Sequence, residues 1–206
     1  MTTPPSSCLP GLRVLLADAG QRRSPVIRLE LIRLRCQLVG VLDLVDQPDA
    51  LDAAPAGLAH DLLLVDCDQP APALLARLAG AQQRQPRPML LIAGQATPAQ
   101  MRDVLRAGVG SLQLTGLQPQ HLGTLLQLTL ARFEHDQALQ QALLQAQTQL
   151  AERKQVERAR GILMREQGLD EEAAFQRLRQ LAMDSGQTLA AVAARLIDAD
   201  QLLRPR

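Results

Sequence analysis

Residues 150–183 read LAERKQVERARGILMREQGLDEEAAFQRLRQLAM and combine a cluster of cations with regularly spaced apolar residues. Positions 153–165 carry five cations against one acid, Glu157. Apolar residues recur at Val156, Ala159 and Leu163, three and four positions apart, as on one face of a helix. Such a helix can pack on a small bundle and offer its basic side to a polyanion, although from charge alone a solvated helix face is the commoner origin of such a run.

Residues typical of helix ends divide the C-terminal segment into three helices. Gly168 is typical of the position that follows a helix, and Asp170 and Thr188 are typical N-caps. Glu171 and Glu172 suit the positive end of the second helix dipole. The predicted buried faces are Ala174, Phe175, Leu178, Leu181 and Ala182 in the second helix, and Leu189, Val192, Ala193, Leu196 and Ile197 in the third.

The pattern RK-x-V-x-x-A-x-GILM at 153–164, followed by E-x-AF-x-x-LR-x-x-AM at 172–183, resembles the ANTAR domain, an RNA-binding module of bacterial transcription antiterminators. The resemblance covers about the last quarter of the chain. It includes the helix breaks and small residues as well as the charges. It implies a three-helix RNA-binding domain over residues 153–206.

The resemblance also indicates which cations contact RNA. Lys154 and Arg160 match cationic positions of the ANTAR pattern, Arg179 matches the arginine of its LR pair, and all three are expected to be exposed. Arg153 and Arg158 are weaker candidates. Lysine binds phosphate as a point charge, whereas arginine can also fork onto a base edge or stack on a loop base. Packing roles are predicted for Gly161, Met164, Phe133 and Phe175.

Composition excludes several classes of protein. With 22 basic and 21 acidic residues, no global field indicates nucleic acid. No apolar run could cross a bilayer, and MTTPPSSCLPG lacks signal-peptide features, so residues 1–10 are expected to be a disordered lead. Cys8, Cys36 and Cys67 have no metal-ligand spacing, which favours free thiols in a reducing cytoplasm. With no Trp, no Tyr and two Phe, the composition argues against RNA binding by aromatic stacking.

Strand-like and helix-like segments alternate over the first half of the chain. Thr97-Pro98 is a typical helix start. Alternation of this kind predicts a parallel sheet with helices on both faces, here of the flavodoxin-like type, with its functional pocket at the carboxyl ends of the strands. The five strands are predicted at residues 12–17, 37–42, 61–65, 89–93 and 111–114.

A long helix is predicted from about Pro119, because no Gly or Pro interrupts the sequence between Gly123 and Gly161. Part of it has the 4, 3, 4 spacing of a coiled-coil seam, which favours a dimerisation stalk. A last helix packed on its own domain with a solvated extension is the alternative. The seam residues are Leu139, Leu143, Ala146 and Leu150.

The strands LRVLLAD and DLLLVDCDQP end with Asp18 and Asp66, and residues 12 to about 130 resemble the receiver domain of bacterial response regulators. Asp66 falls where that family carries its phospho-accepting carboxylate. The family also needs a second acid beside Asp18, a hydroxyl after the fourth strand and a lysine after the fifth. These positions hold Ala19, Ala93 and Thr115-Gly116.

These departures predict a pseudo-receiver whose pocket is degenerate. Asp18 and Asp66 are expected to be a residual carboxylate pair held by backbone amides, without signalling phosphorylation. His60, His121 and His135 share no ligand spacing, and the sequence shows no phosphate loop or nucleophile elbow. No enzyme activity, cofactor or metal is expected.

The predicted architecture is α/β plus all-α: pseudo-receiver (11–118), helical stalk (119–152) and ANTAR domain (153–206). The segment ARFEHDQAL…QLAERKQVERARGILM is most similar to the NasT type, related to AmiR. The resemblance implies binding to leader-transcript stem-loops, control of nitrate assimilation, and a nitrate-sensing repressor resembling a periplasmic binding protein. Two alternatives remain open: a phosphorylation-responsive DNA-binding regulator, and a protein-interaction adaptor that binds no nucleic acid.

Overall fold

The computed structural model describes residues 9–20, 22–53, 59–114 and 118–203. Most of the predicted lead, with Cys8, and the Thr115-Gly116 pair lie outside the described residues. The chain divides into two compact units, Met1–Gln137 and Ala138–Arg206.

A five-stranded parallel sheet forms the centre of the first unit. Its strands are β1 Arg13–Asp18, β2 Gln37–Asp43, β3 Leu62–Cys67, β4 Met89–Ala93 and β5 Ser111–Leu114. They lie in the order β2-β1-β3-β4-β5, the flavodoxin-like order that was predicted. The last two strands have the predicted bounds. The first and third extend further than predicted at their carboxyl ends, because strand pairing continues through Asp18 and Asp66, which are register partners.

Helices connect the strands of the first unit. They are α1 Ser24–Arg33, α2 Ala50–Ala53, α3 Pro72–Arg84 and α4 Pro98–Arg106, followed by a 3₁₀ turn, Pro119–His121. The predicted start of α4 is confirmed: Thr97 and Gln100 form a reciprocal capping box, with Pro98 at the first turn.

Two apolar layers cover the sheet, because successive side chains of a strand point to opposite faces. Leu15, Leu63 and Leu91 contribute to one layer. Val14 and Leu62 contribute to the other, together with side chains of α1. Every residue of β3 and β4 is buried, as is typical of central parallel strands covered on both faces.

The predicted long helix is one uninterrupted element, α5 Leu122–Gln167, of 46 residues. Its first turns belong to the sheet unit, where Leu122 and Leu126 are fully buried. Residues 138–155 are all exposed. Within that stretch the seam residues Leu139, Leu143 and Leu150 are 56%, 60% and 55% exposed, so no described residue of the second unit buries the predicted seam.

Three helices build the second unit: the end of α5, then α6 Glu171–Ser185 and α7 Leu189–Leu203. The predicted breaks are confirmed. Gly168 adopts a positive φ of 65° after α5, and Asp170 caps α6 by accepting from the Ala173 amide. Thr188 Oγ1 likewise accepts from the Ala191 amide at the start of α7.

The core of the second unit brings one face from each helix together. Small residues at Ala159 and Ala174 are fully buried, which allows the helices to approach closely. The buried members are Ala159, Ile162 and Leu163 of α5, Ala174, Leu178 and Ala182 of α6, and Val192, Ala193 and Ile197 of α7. The faces predicted from helical spacing are therefore confirmed, apart from Phe175.

Candidate nucleic-acid interface

Ion pairs divide the cations of the basic helix into two classes. Arg153 Nε donates to Glu157 Oε1 at 3.2 Å, one turn along the same helix. Arg165 is held by both Glu166 and Asp200. These guanidiniums are already neutralised by carboxylates of the chain, so they are less suited to a phosphate contact than an unpaired cation is.

Arg160 belongs to the paired class, contrary to the prediction that its side chain is exposed. Its side chain is 30% exposed, and its Nη2 lies 2.9 Å from Glu171 Oε1. Glu171 is in the first turn of α6, so this ion pair links α5 to the start of α6. The prediction was wrong because sequence spacing along α5 does not reveal a carboxylate brought in by another helix.

Lys154, Arg158 and Arg179 are exposed, and none makes an ion pair or hydrogen bond with the residues that the structure describes. Lys154 and Arg158 are four residues apart and lie within about 40° of each other around α5. They therefore form a short unneutralised cationic row on the helix surface. Arg179 supplies a third unpaired charge from α6.

Gly161 has no packing role, contrary to the prediction. It is exposed, and among the residues that the structure describes a Cβ at this position would have no tertiary neighbour within 4 Å. It lies seven residues after Lys154, only about 20° away around the helix. Gly161 therefore leaves a strip of bare backbone beside the cationic row. A glycine inside a helix lowers stability by about 0.5–1 kcal/mol relative to alanine. Here no described neighbouring side chain packs so closely that a glycine is required.

Phe175 lines an open pocket of about 450 Å³ between the end of α6 and the start of α7. It is half-buried, so the prediction that it is a core residue was wrong, and Phe133 is half-buried as well. The pocket walls are mostly apolar. The other lining residues are Arg179, Ala182, Met183, Gly186, Gln187 and Leu189.

In the first unit the side chain of Asp66 is fully buried and paired with an arginine that the sequence did not indicate. Arg23 Nε donates to Asp66 Oδ1 at 2.7 Å, and Arg23 Nη2 donates to the Cys67 carbonyl. The predicted backbone-amide support is present at Asp18, whose Oδ1 accepts from the Gly20 amide at 3.1 Å. At Asp66 a backbone hydrogen bond from Arg23 is likewise present, and the guanidinium of the same residue adds a partner that the sequence did not indicate, because the loop that follows β1 carries Arg23 to the end of β3.

Burial dominates the electrostatics of this pocket. It raises the pKa of the Asp66 carboxyl, and the hydrogen bond from Arg23 offsets this only in part. Asp66 Oδ2 is buried without a hydrogen-bond partner among the described residues. The nucleophilic oxygens of Asp66 are thus either bound to a guanidinium or enclosed, and the buried end of β4 contributes the methyl group of Ala93 in place of a hydroxyl.

Two further observations concern the whole described part of the chain. Within residues 9–20, 22–53, 59–114 and 118–203, no group of three or more His, Cys, Asp or Glu side chains could hold a metal ion. In the same ranges no helix is both long and apolar enough to cross a membrane.

Both parts of the chain are similar to known proteins. Residues 144–197 match the family described as ANTAR domain. Over 55 residues the chain is 44% identical to a nitrate regulatory protein from Klebsiella oxytoca, a match that spans 27% of this chain but only 14% of that protein.

Solved structures resemble the first unit. The receiver domain of a modulated diguanylate cyclase from Desulfovibrio desulfuricans G20 matches with a TM-score of 0.51 and 19% identity, covering 60% of this chain and 97% of that one. A CheY-like receiver domain from Methanospirillum hungatei JF-1 gives 0.50 and 16%, covering 61% and 98%. The chain thus combines a receiver-like α/β fold with a C-terminal segment, residues 144–197, that matches the ANTAR domain.

Proposed function

We propose that this chain is an RNA-binding regulator of transcription antitermination that binds stem-loops of a leader transcript. The observation that carries the proposal is the unneutralised row of Lys154 and Arg158 beside the bare backbone at Gly161, within the residues that match the ANTAR family. A phosphate backbone needs cations that are not already paired and a surface that lets it approach closely.

Lys154 and Arg158 bind phosphates of the RNA stem in this proposal, and Arg179 contacts the loop. Arg160 acts indirectly, since its ion pair with Glu171 positions α6 relative to α5. Arg153, already paired with Glu157, contributes least. Lys154→Ala should lower the slope of log K against log salt by about 1, and Arg179→Ala should weaken binding of the loop.

The test uses hairpin RNAs selected in vitro by the wild-type protein from a library with randomised loops. Gel-shift titrations at several salt concentrations then compare Lys154→Ala, Arg158→Ala and Arg179→Ala. Arg102→Ala is the matched control, because it removes an exposed, unpaired cation from α4. Circular dichroism checks folding. Failure to select any hairpin would refute RNA recognition, and wild-type affinity in all three variants would refute this interface.

Gly161→Ala separates binding from folding. The added methyl group meets no neighbour, so the variant should be more stable by about 0.5–1 kcal/mol. In the same variant RNA affinity should fall, because the methyl group stands where the phosphate backbone approaches. A variant that is both more stable and equally tight in binding would remove Gly161 from the interface.

Nitrate-related control is the proposed context, supported by the similarity to the nitrate regulatory protein. Gating by a separate sensor protein, in place of phosphorylation, is part of the same proposal. Its support lies in the first unit, where Arg23 occupies Asp66 Oδ1 and Ala93 supplies no hydroxyl. A regulator whose receiver pocket is closed in this way needs its input from a protein surface. Pull-down with a candidate sensor, with and without nitrate, would test this.

A homodimer through α5 is the proposed assembly. The seam Leu139, Leu143, Ala146 and Leu150 is exposed at every position, and its spacing is that of a coiled coil. Large apolar side chains repeated along one helix face are stabilised by pairing with an identical face.

A further inference from the structure

The proposed RNA interface leaves one feature of the second unit unexplained, the open pocket between α6 and α7. Its volume is about 450 Å³, and Phe175 forms part of its wall. Met183, also in the wall, is 68% exposed, although it is a large apolar side chain. A core residue would be covered, whereas Met183 is exposed on the wall of this open pocket, beside the half-buried ring of Phe175.

The charge beside the pocket limits what can occupy it. Arg179 follows Phe175 by four residues, so the two side chains are neighbours on the same face of α6. Arg179 is exposed and makes no ion pair among the described residues. An aromatic ring, apolar walls and one unneutralised guanidinium together suit a flat aromatic group that is linked to an anion. A nucleotide has both parts.

We infer that this pocket binds one unpaired base of a hairpin loop, stacked on the ring of Phe175, with Arg179 on the adjoining phosphate. The inference rests on the proposed RNA-binding function and names the subsite that would read the loop. Composition argued against stacking because aromatic residues are few, but one base needs only one ring. Gly186 ends α6 in the left-handed conformation, and a side chain at this position would meet open space among the described residues, so this side of the pocket is open to the incoming base.

The experiment pairs a protein change with an RNA change. Phe175→Leu keeps an apolar side chain and removes the aromatic face. The RNA is a selected hairpin in which single loop nucleotides are replaced in turn by abasic sites. Loss of one stacking contact should weaken binding by about 10-fold to 100-fold. At one loop position the abasic RNA should weaken wild-type binding by a similar factor, yet weaken Phe175→Leu little further.

A spectroscopic readout supports the titration. The chain contains no Trp, so Phe175→Trp introduces a single indole at the pocket. Its emission should be quenched by the intact hairpin and not by the hairpin that is abasic at the sensitive position. Phe133→Trp, at the other phenylalanine, is the matched control and should show no such difference. The Trp variant also answers the question should Phe175→Leu fail to fold, since it retains an aromatic ring.

The outcomes separate the two proposals. If the wild type selects and binds no hairpin, the proposed function fails and this inference fails with it. If hairpins bind but no abasic position is coupled to Phe175, or the indole is not quenched, RNA binding stands and the base pocket is overturned. A pocket that instead serves a protein partner would give that second result.

Discussion

Removing the guanidinium of Arg23 should destabilise the first unit substantially, because it leaves the carboxylate of Asp66 buried and unpaired. The side chain of Asp66 is 0% exposed and that of Arg23 is 26% exposed, with 2.7 Å between Nε and Oδ1. Breaking a buried ion pair by removing one partner costs about 3–5 kcal/mol. Since Arg23 is partly solvated, we expect the lower end, about 3 kcal/mol, for Arg23→Met at pH 7.

Asp66→Asn should lower the free energy of unfolding much less than Arg23→Met does, because the Arg23 guanidinium keeps some access to water. In the variant that carries both changes the two losses of stability should not add, and a coupling energy of about 2 kcal/mol is expected. Burial raises the pKa of Asp66, and loss of Arg23 should raise it further. The loss of stability in Arg23→Met should therefore become smaller as the pH is lowered from 7, since a protonated carboxyl is less costly to bury than a carboxylate.

Reactivity of the Cys67 thiol in urea would measure this unit alone, in a background with Cys8→Ser and Cys36→Ser. Cys67 is 1% exposed, and burial raises its pKa to about 12, so it should react only after unfolding. Additive costs of Arg23→Met and Asp66→Asn, or a deficit below about 1 kcal/mol, would refute the view that this pair neutralises the pocket.

Three further outcomes are expected. Replacing Leu143 and Leu150 with Asp should give monomers by light scattering, and a double variant that stays dimeric would place the interface elsewhere. Acetyl phosphate with Mg²⁺ should leave the intact mass unchanged, whereas a stoichiometric gain of one phosphate would overturn the closed pocket at Asp66. The hydrogen bond from Arg13 lowers the pKa of Asp61 to about 2 from 3.8. The stabilisation that this carboxylate gives to the folded state is complete above pH 3.8 and is lost as the pH falls toward 2. In the Asp61→Asn variant the free energy of unfolding should therefore depend less on pH in that window.

Sequence patterns predicted correctly those features that depend on residues close together in the chain. Helix caps depend on one side chain and an amide a few residues away, which is why Thr97, Asp170 and Thr188 were predicted correctly. The three-helix core followed from helical spacing, because apolar side chains on one face of a helix must be covered. The sheet followed from alternation of strands and helices.

Contacts between residues far apart in the sequence could not be predicted from such patterns. The partners Arg23 and Asp66 are 43 residues apart, and no pattern in either segment indicates that the two side chains pair. Arg160 is neutralised by Glu171 across a helix break, although its own helix presents it as one more exposed cation.

Fold class, helix ends and the ANTAR resemblance are all readable from the residues alone, because each is encoded in periodicity, capping or a contiguous motif. The folded chain was needed to show which cations remain unpaired, that Gly161 faces open space, and that Phe175 lines a pocket with Arg179. Charge neutralisation and exposure depend on which side chains come into contact after folding, and the residues around a given position do not reveal those contacts.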